Sequence, residues 1–171
     1  PEAGAALALS LQTALAATAA CIVLGVPLAL TIARAGARGA AVLRAIVTVP
    51  LVLPPMVGGV ALLFLFGRTG WLGAMLGEAG IRIPFTTVAV VIAQTFVALP
   101  FLVLALEGAL RATGVGYEQT AAALGAGRWR ILFRVTLPLA APGLIAGTVL
   151  CFARALGEFG ATALFAGNAP G

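Results

Sequence analysis

Four tracts of this chain carry no charged residue: Ala3 to Ala33, Ala45 to Gly67, Ile83 to Leu106 and Val135 to Ala153. A helix needs about 20 apolar residues to cross the hydrocarbon of a bilayer, and each tract is near or above that length. Lipid is therefore the solvent for this sequence, and four spanning or partly spanning helices are expected. Composition agrees: 9% of residues are charged, against about 25% in ordinary soluble domains. The first tract is long enough to tilt or to extend beyond the hydrocarbon. It is too long for a signal-peptide core, and no basic segment precedes it.

The charges that remain are of two kinds only. All ten cations are Arg, all five acids are Glu, and Lys, Asp and His are absent. A histidine-based catalytic triad, a His-containing zinc site and a phosphate loop ending in Gly-Lys-Ser/Thr are thereby excluded. Any nucleotide hydrolysis must belong to another subunit. Cys21 and Cys151 sit in separate apolar tracts without metal or redox spacing, and read as small core hydrophobes. The net charge of +5 is explained by arginines at membrane boundaries, without nucleic acid.

Those arginines also orient the helices. Arg34, Arg38 and Arg44 follow the first tract; Arg111, Arg128, Arg130 and Arg134 lie between the third and fourth; Arg68 and Arg82, offset by Glu78, lie between the second and third. The positive-inside tendency puts the first and third loops in the cytoplasm and the middle loop and the start of the chain outside. Trp71 in the middle loop fits an interfacial anchor. On this topology the closing AGNAPG is external, and a longer natural chain with at least one returning helix is expected.

Proline punctuates both outward crossings with similar words, VTVPLVLPP at 47 to 55 and VTLPLAAPG at 135 to 143. Near a helix start proline is cheap, because the first-turn N–H groups have no partner in any case. Pro54, Pro55 and Pro100 lie deeper, where freed carbonyls need neighbouring helices or water, as in the broken helices of transporters.

The stretch YEQTAAALGAGRWRILFRVTLP, residues 117 to 138, interrupts the apolar pattern. Its Ala-rich start forms a helix, Gly125 and Gly127 permit a sharp turn, and a second helical piece begins near Arg128. Trp129, Leu132 and Phe133 form an i, i+3, i+4 stripe able to pack beneath the bundle. An amphipathic connector resting on the membrane is one reading. The small face of Thr120, Ala121 and Leu124 favours another, a surface that a second protein approaches closely.

The spacing of this stretch resembles the cytoplasmic signature of the inner-membrane permeases of ATP-binding-cassette importers: Glu-Ala-Ala, three residues, Gly, nine residues, Ile, one residue, Leu-Pro. Gln119, Thr120 and Ala121 take the first three places, Gly125 is the glycine, and Val135, Leu137 and Pro138 close it. The resemblance implies that the stretch is a coupling helix docking on an ATPase subunit. The signature acid is here Gln119, with Glu118 one place earlier, and one position turns a side chain by about 100° around a helix.

The segments PLVLPPMVGG at 50 to 59, LGAGRWR at 124 to 130 and FARALGEFGATALFAGNAPG at 152 to 171 are similar to the molybdate and tungstate branch of these permeases. Sulfate permeases are close relatives, and Phe159 stands where they usually have Tyr. Arg154 and Glu158 are i, i+4 on the fourth helix, and an intramembrane ionisable pair reads either as a packing ion pair or as part of a pathway or gate for a divalent oxyanion. Gly157 and Gly160 flank it, and Gly143 with Gly147 has the GxxxG spacing that lets helices approach closely.

The expectation is an all-α, polytopic transmembrane helix bundle with spans at about 7–33, 45–67, 84–106 and 139–165 and a cytoplasmic coupling loop at 107–138. The resemblance implies the type I importer permease fold without its last helix, multi-pass in a bacterial or archaeal inner membrane. It further implies no cofactor on this chain, with ATP and Mg on the partner. The implied partners are a second permease copy, two ATP-binding-cassette ATPase subunits and a periplasmic or extracellular oxyanion-binding protein. The rival readings are a sulfate or thiosulfate permease, an ion-coupled secondary transporter, for which Glu158 is the only carboxylate candidate, and a structural scaffold.

Overall fold

The computed structural model describes residues 2–67, 70–78 and 83–158, and among them there is helix and no strand. The first charge-free tract folds as one long helix, α1 (Glu2–Arg34), which continues through Pro27 and ends on a cation that suits the helix C-terminus. The third tract folds as α5 (Thr87–Thr113), whose N-cap Thr86 accepts a hydrogen bond from the Ala89 N–H at 3.3 Å. Both are long and apolar enough to cross a bilayer unaided.

The second and fourth tracts behave differently from a single straight span. Residues expected to form one helix at 45–67 are divided between α2 (Ala37–Val52) and α3 (Pro55–Phe66), whose axes meet at 111°. The cause is local. Proline disfavours helical backbone in the residue before it, so Leu53 and Pro54 are both extended, at ψ 134° and 137°, and Pro55 restarts the helix at its first position. Pro50 is absorbed inside α2, and Pro100 lies buried inside an unbroken α5. After α3 come α4 (Trp71–Glu78), with Trp71 exposed at its start, then α5.

The loop expected at 107–138 begins only after Thr113, since Glu107 and Arg111 remain in the last turns of α5. Beyond it lie α6 (Gly116–Ala123), α7 (Arg128–Ile131), a π-helical turn at Leu132–Thr136, α8 (Leu137–Leu139) and α9 (Ala141–Leu156). The run Arg128–Leu139 meets α9 at 70°, with the bend at Ala140 between Pro138 and Pro142. The two similar proline phrases thus produce two bent helix pairs. Counting each as one span gives up to four crossings among the described residues.

α5 is the centre of the bundle. Cys21 Sγ lies 3.6 Å from the Thr95 carbonyl, a Cβ at Gly25 would come within 2.5 Å of Leu102 Cδ2, and Arg111 Nη2 donates to the Ile32 carbonyl at 3.1 Å, so α1 runs parallel to α5. α9 runs antiparallel to it. A Cβ at Gly147 would stand 3.1 Å from both Ala105 Cβ and Leu102 Cα, and one at Gly143 would collide with Ala109 Cβ. The GxxxG pair is therefore the contact that seats α9 on α5. Ala14, Ala17, Cys21, Ala98, Leu102, Cys151 and Ala155 form one buried cluster between α1, α5 and α9, and so bring the two cysteines together. Leu7, Val23, Val52, Phe64 and Ile145 point outward, as suits lipid-facing surface.

Candidate functional site

The first and third arginine-rich segments meet at one end of the bundle. Arg34, the last residue of α1, donates to both carboxylate oxygens of Glu118 on α6, at 3.0 and 3.1 Å. Thr136 Oγ1 donates to the same carboxylate at 2.6 Å. Glu118 therefore ties the elbow to α1 and to the π-turn, while Gln119, which holds the signature acid's place, is exposed. The one-residue shift has turned the carboxylate inward to a partner within this chain.

The elbow itself is closed by backbone chemistry. Ala126 N–H bonds to the Ala121 carbonyl at 3.0 Å and Gly125 N–H to the Ala122 carbonyl at 2.9 Å, the two reciprocal bonds of a Schellman motif that ends α6. Gly125 takes φ +84°, a left-handed conformation costing about 1–2 kcal/mol for any residue with a Cβ. Open space surrounds it, so conformation alone demands glycine there. Gly127, at φ −69°, is the N-cap of α7 and makes no such demand.

Of the remaining signature positions, Thr120 and Pro138 are exposed and Ala121, Val135 and Leu137 are half-buried. The Trp129, Leu132 and Phe133 stripe does not pack beneath the bundle as expected. Trp129 is 73% and Phe133 62% exposed. Their rings stack on each other at 6.2 Å, as the i, i+4 spacing of the two side chains allows. Arg34, Val115, Glu118, Gln119, Ala122, Arg128 and Ile131 line an open cavity of about 260 Å³ at the elbow.

Behind the elbow lies a cluster that sequence reasoning missed. Glu107, 3% exposed, receives Arg111 Nε at 2.7 Å and Arg44 through two guanidinium hydrogen bonds, one of them Nε at 3.2 Å. It joins α2 to α5, and Arg111 extends the tie to α1 through Ile32. The i, i+4 spacing of Glu107 and Arg111 was visible in the sequence; Arg44 was not, because it is brought in by tertiary packing.

At the opposite end, Arg154 Nη2 meets Glu158 Oε2 at 2.6 Å, with the Glu158 side chain 1% exposed. The pair is formed within the chain, an arrangement common to both alternatives of the sequence reading. Arg68, Arg82, Phe159, Gly160, the AGNAPG end and the last part of the span expected to reach 165 lie outside the described residues. Among the described residues, no group of three acidic or Cys side chains could hold a metal.

The helical bundle, with helices of membrane length and a glycine-closed elbow at its arginine-rich end, places the chain among polytopic membrane proteins. The family model described as "binding-protein-dependent transport system inner membrane component" matches residues 21–171, and the chain belongs to that family. It is 56% identical over all 171 residues to the molybdenum transport system permease protein ModB of Mycobacterium tuberculosis, and 44% identical over 167 residues, 97% of this chain and 73% of the relative, to that of Escherichia coli. It is 37% identical over 163 residues, 95% of this chain and 44% of the relative, to chloroplastic sulfate permease 2 of Chlamydomonas reinhardtii. The chain spans 65% of the length of the mycobacterial relative.

Weakening the Arg34–Glu118 tie tests how the elbow is held. Both side chains are partly exposed, at 50% and 23%, so Glu118→Gln is expected to cost about 0.2–1 kcal/mol. Amide hydrogen exchange across Gly116–Ala123 should then quicken by up to about fivefold, with α1 and α5 unchanged.

Proposed function

We propose that this chain is the transmembrane permease subunit of an ATP-driven importer for molybdate or a closely related tetrahedral oxyanion such as tungstate. The observation that carries the reading is the 56% identity, over every residue of the chain, with a permease named for molybdenum transport.

The physical arrangement supports a coupling role for the elbow. Glu118, Gln119, Thr120, Ala121 and Gly125 lie on or close α6, while Val135, Leu137 and Pro138 lead from it into α9. A load on α6 passes through Glu118 to Arg34 and Thr136, and so into α1 and the helix that re-enters the bundle. An ATPase pair that closes on ATP, with its Mg, would move two such elbows together. Two copies of the permease would then switch between two packings, accepting the oxyanion from a binding protein outside and releasing it inside. Arg154 and Glu158, at the end of the bundle away from the elbow, belong on this reading to the pathway or gate.

The full-length permease, reconstituted in proteoliposomes with its ATPase and binding protein, tests the reading. Molybdate uptake driven by ATP is the expected result. Uptake of sulfate with molybdate left outside would transfer the assignment to the sulfate permeases. Uptake driven by an ion gradient without ATP would overturn it altogether.

A further inference from the structure

The structure contains a buried polar group that neither the coupling elbow nor the membrane solvent explains. Gln94 is 4% exposed in the first third of α5, and its Oε1 has no hydrogen-bond partner among the described residues. It lies on the same helical face as Val91, Ala98 and Leu102, all packed in the seam between α1, α5 and α9.

The antiparallel register of that seam locates its neighbours. Leu102 meets Gly147, and Ala98 and Leu102 share a cluster with Cys151 and Ala155. One turn further along α5 is Gln94, and one turn further along α9 is Ala155. Gln94 therefore stands at the level between Arg154 and Glu158. Small residues hold the helices close there, at an interaxial distance of about 8–10 Å or less, which an arginine side chain can span.

We propose that Gln94 is a second, neutral acceptor for Arg154, and that Arg154 moves between Glu158 and Gln94 as a charge-controlled station for a tetrahedral divalent oxyanion. Held by Glu158, the guanidinium is largely neutralised and attracts no anion. Held by the Gln94 carbonyl, it keeps its full charge, and its remaining N–H donors form the planar fork that fits an oxyanion's oxygens. An oxyanion only accepts hydrogen bonds, so it competes with Glu158 for Arg154 and leaves the Gln94 bond intact. The carboxamide acts through Arg154 and is a positioning residue. This inference rests on the oxyanion-permease reading above and assigns a role within it to a residue that the coupling geometry leaves unused.

The test uses the reconstituted complex with Gln94→Leu, Gln94→Met and Gln94→Glu. Leu and Met remove the acceptor, and molybdate moved per ATP hydrolysed should fall roughly ten- to hundredfold, the factor for losing a hydrogen bond to a charged group. The same two variants remove a buried amide oxygen that has no partner among the described residues, so the thermal midpoint should rise by about 2–4 °C. Glu supplies a second carboxylate that neutralises Arg154 in either position, and should lower the same ratio at least as far. A role in packing alone would give the opposite signature, a lowered midpoint with uptake and hydrolysis falling together, and would overturn the proposal. So would uptake per ATP equal to the unaltered complex in both the Leu and Met variants. If the unaltered complex itself moves no molybdate, tungstate or sulfate with ATP, the permease reading falls first and this station with it.

Discussion

Gly125→Pro is expected to leave the bundle assembled while cutting transport-coupled ATP hydrolysis by roughly a hundredfold. Proline fixes φ near −65°, and Gly125 sits at +84°. The substitution also removes the N–H that bonds to the Ala122 carbonyl at 2.9 Å. A strain of about 3 kcal/mol or more lowers the population of the closed elbow by that hundredfold. Nothing lies within 4 Å of a Cβ at this position, so the damage is conformational and stays in the elbow. ATP hydrolysis by the complex, with and without the loaded binding protein, reads the effect. Hydrolysis that still responds to the binding protein as before would show that the elbow carries no coupling.

Gly143→Leu is expected to destroy the α5–α9 contact. A Cβ there collides with Ala109 Cβ and stands 2.9 Å from the Ala105 carbonyl oxygen, which is backbone and cannot move aside. Overpacking of this kind costs about 1–3 kcal/mol and more where backbone must shift. Gly108→Ala provides the contrast on the partner helix. Gly108 is exposed with open space around it, so adding a methyl group should stabilise the helix by up to about 1 kcal/mol. Thermal unfolding of the two variants in detergent should move the midpoint in opposite directions, and equal midpoints would refute the close-contact account of the GxxxG pair.

Local chemistry made much of this legible in advance. The charge-free tracts mark α1 and α5 because lipid requires every backbone group to be bonded within its own helix. The Leu-Pro-Pro phrase marks the break at Leu53 and Pro54 because proline acts on its immediate neighbours. The turn at Gly125 was legible for the same reason. The 111° angle at that break was not, since a proline permits a bend and the packing of α2 and α3 against α5 sets its size.

The candidate sites divide along the same line. Arg154 lies in the last turn of α9 and Glu158 just past its end at Leu156, and their nearness in sequence makes them neighbours. Arg44 and Glu107 are brought together across α2 and α5, and Arg34 and Glu118 across α1 and α6; no local rule pairs them. The exposed Trp129 and Phe133 stack shows the reverse error, because periodicity identifies an apolar face without saying what covers it.

By itself, then, the sequence determined the solvent of this protein, the break at Leu53 and Pro54 and the glycine-closed elbow, all of which depend on interactions within a few residues, whereas Pro100, read in the same way, left α5 unbroken. Tertiary structure alone decided that Arg34 meets Glu118 and Arg44 meets Glu107, how far the broken helices bend, and that Gln94 is buried. Those outcomes depend on the register between helices distant in sequence, which is set by the summed packing of small side chains along their whole length.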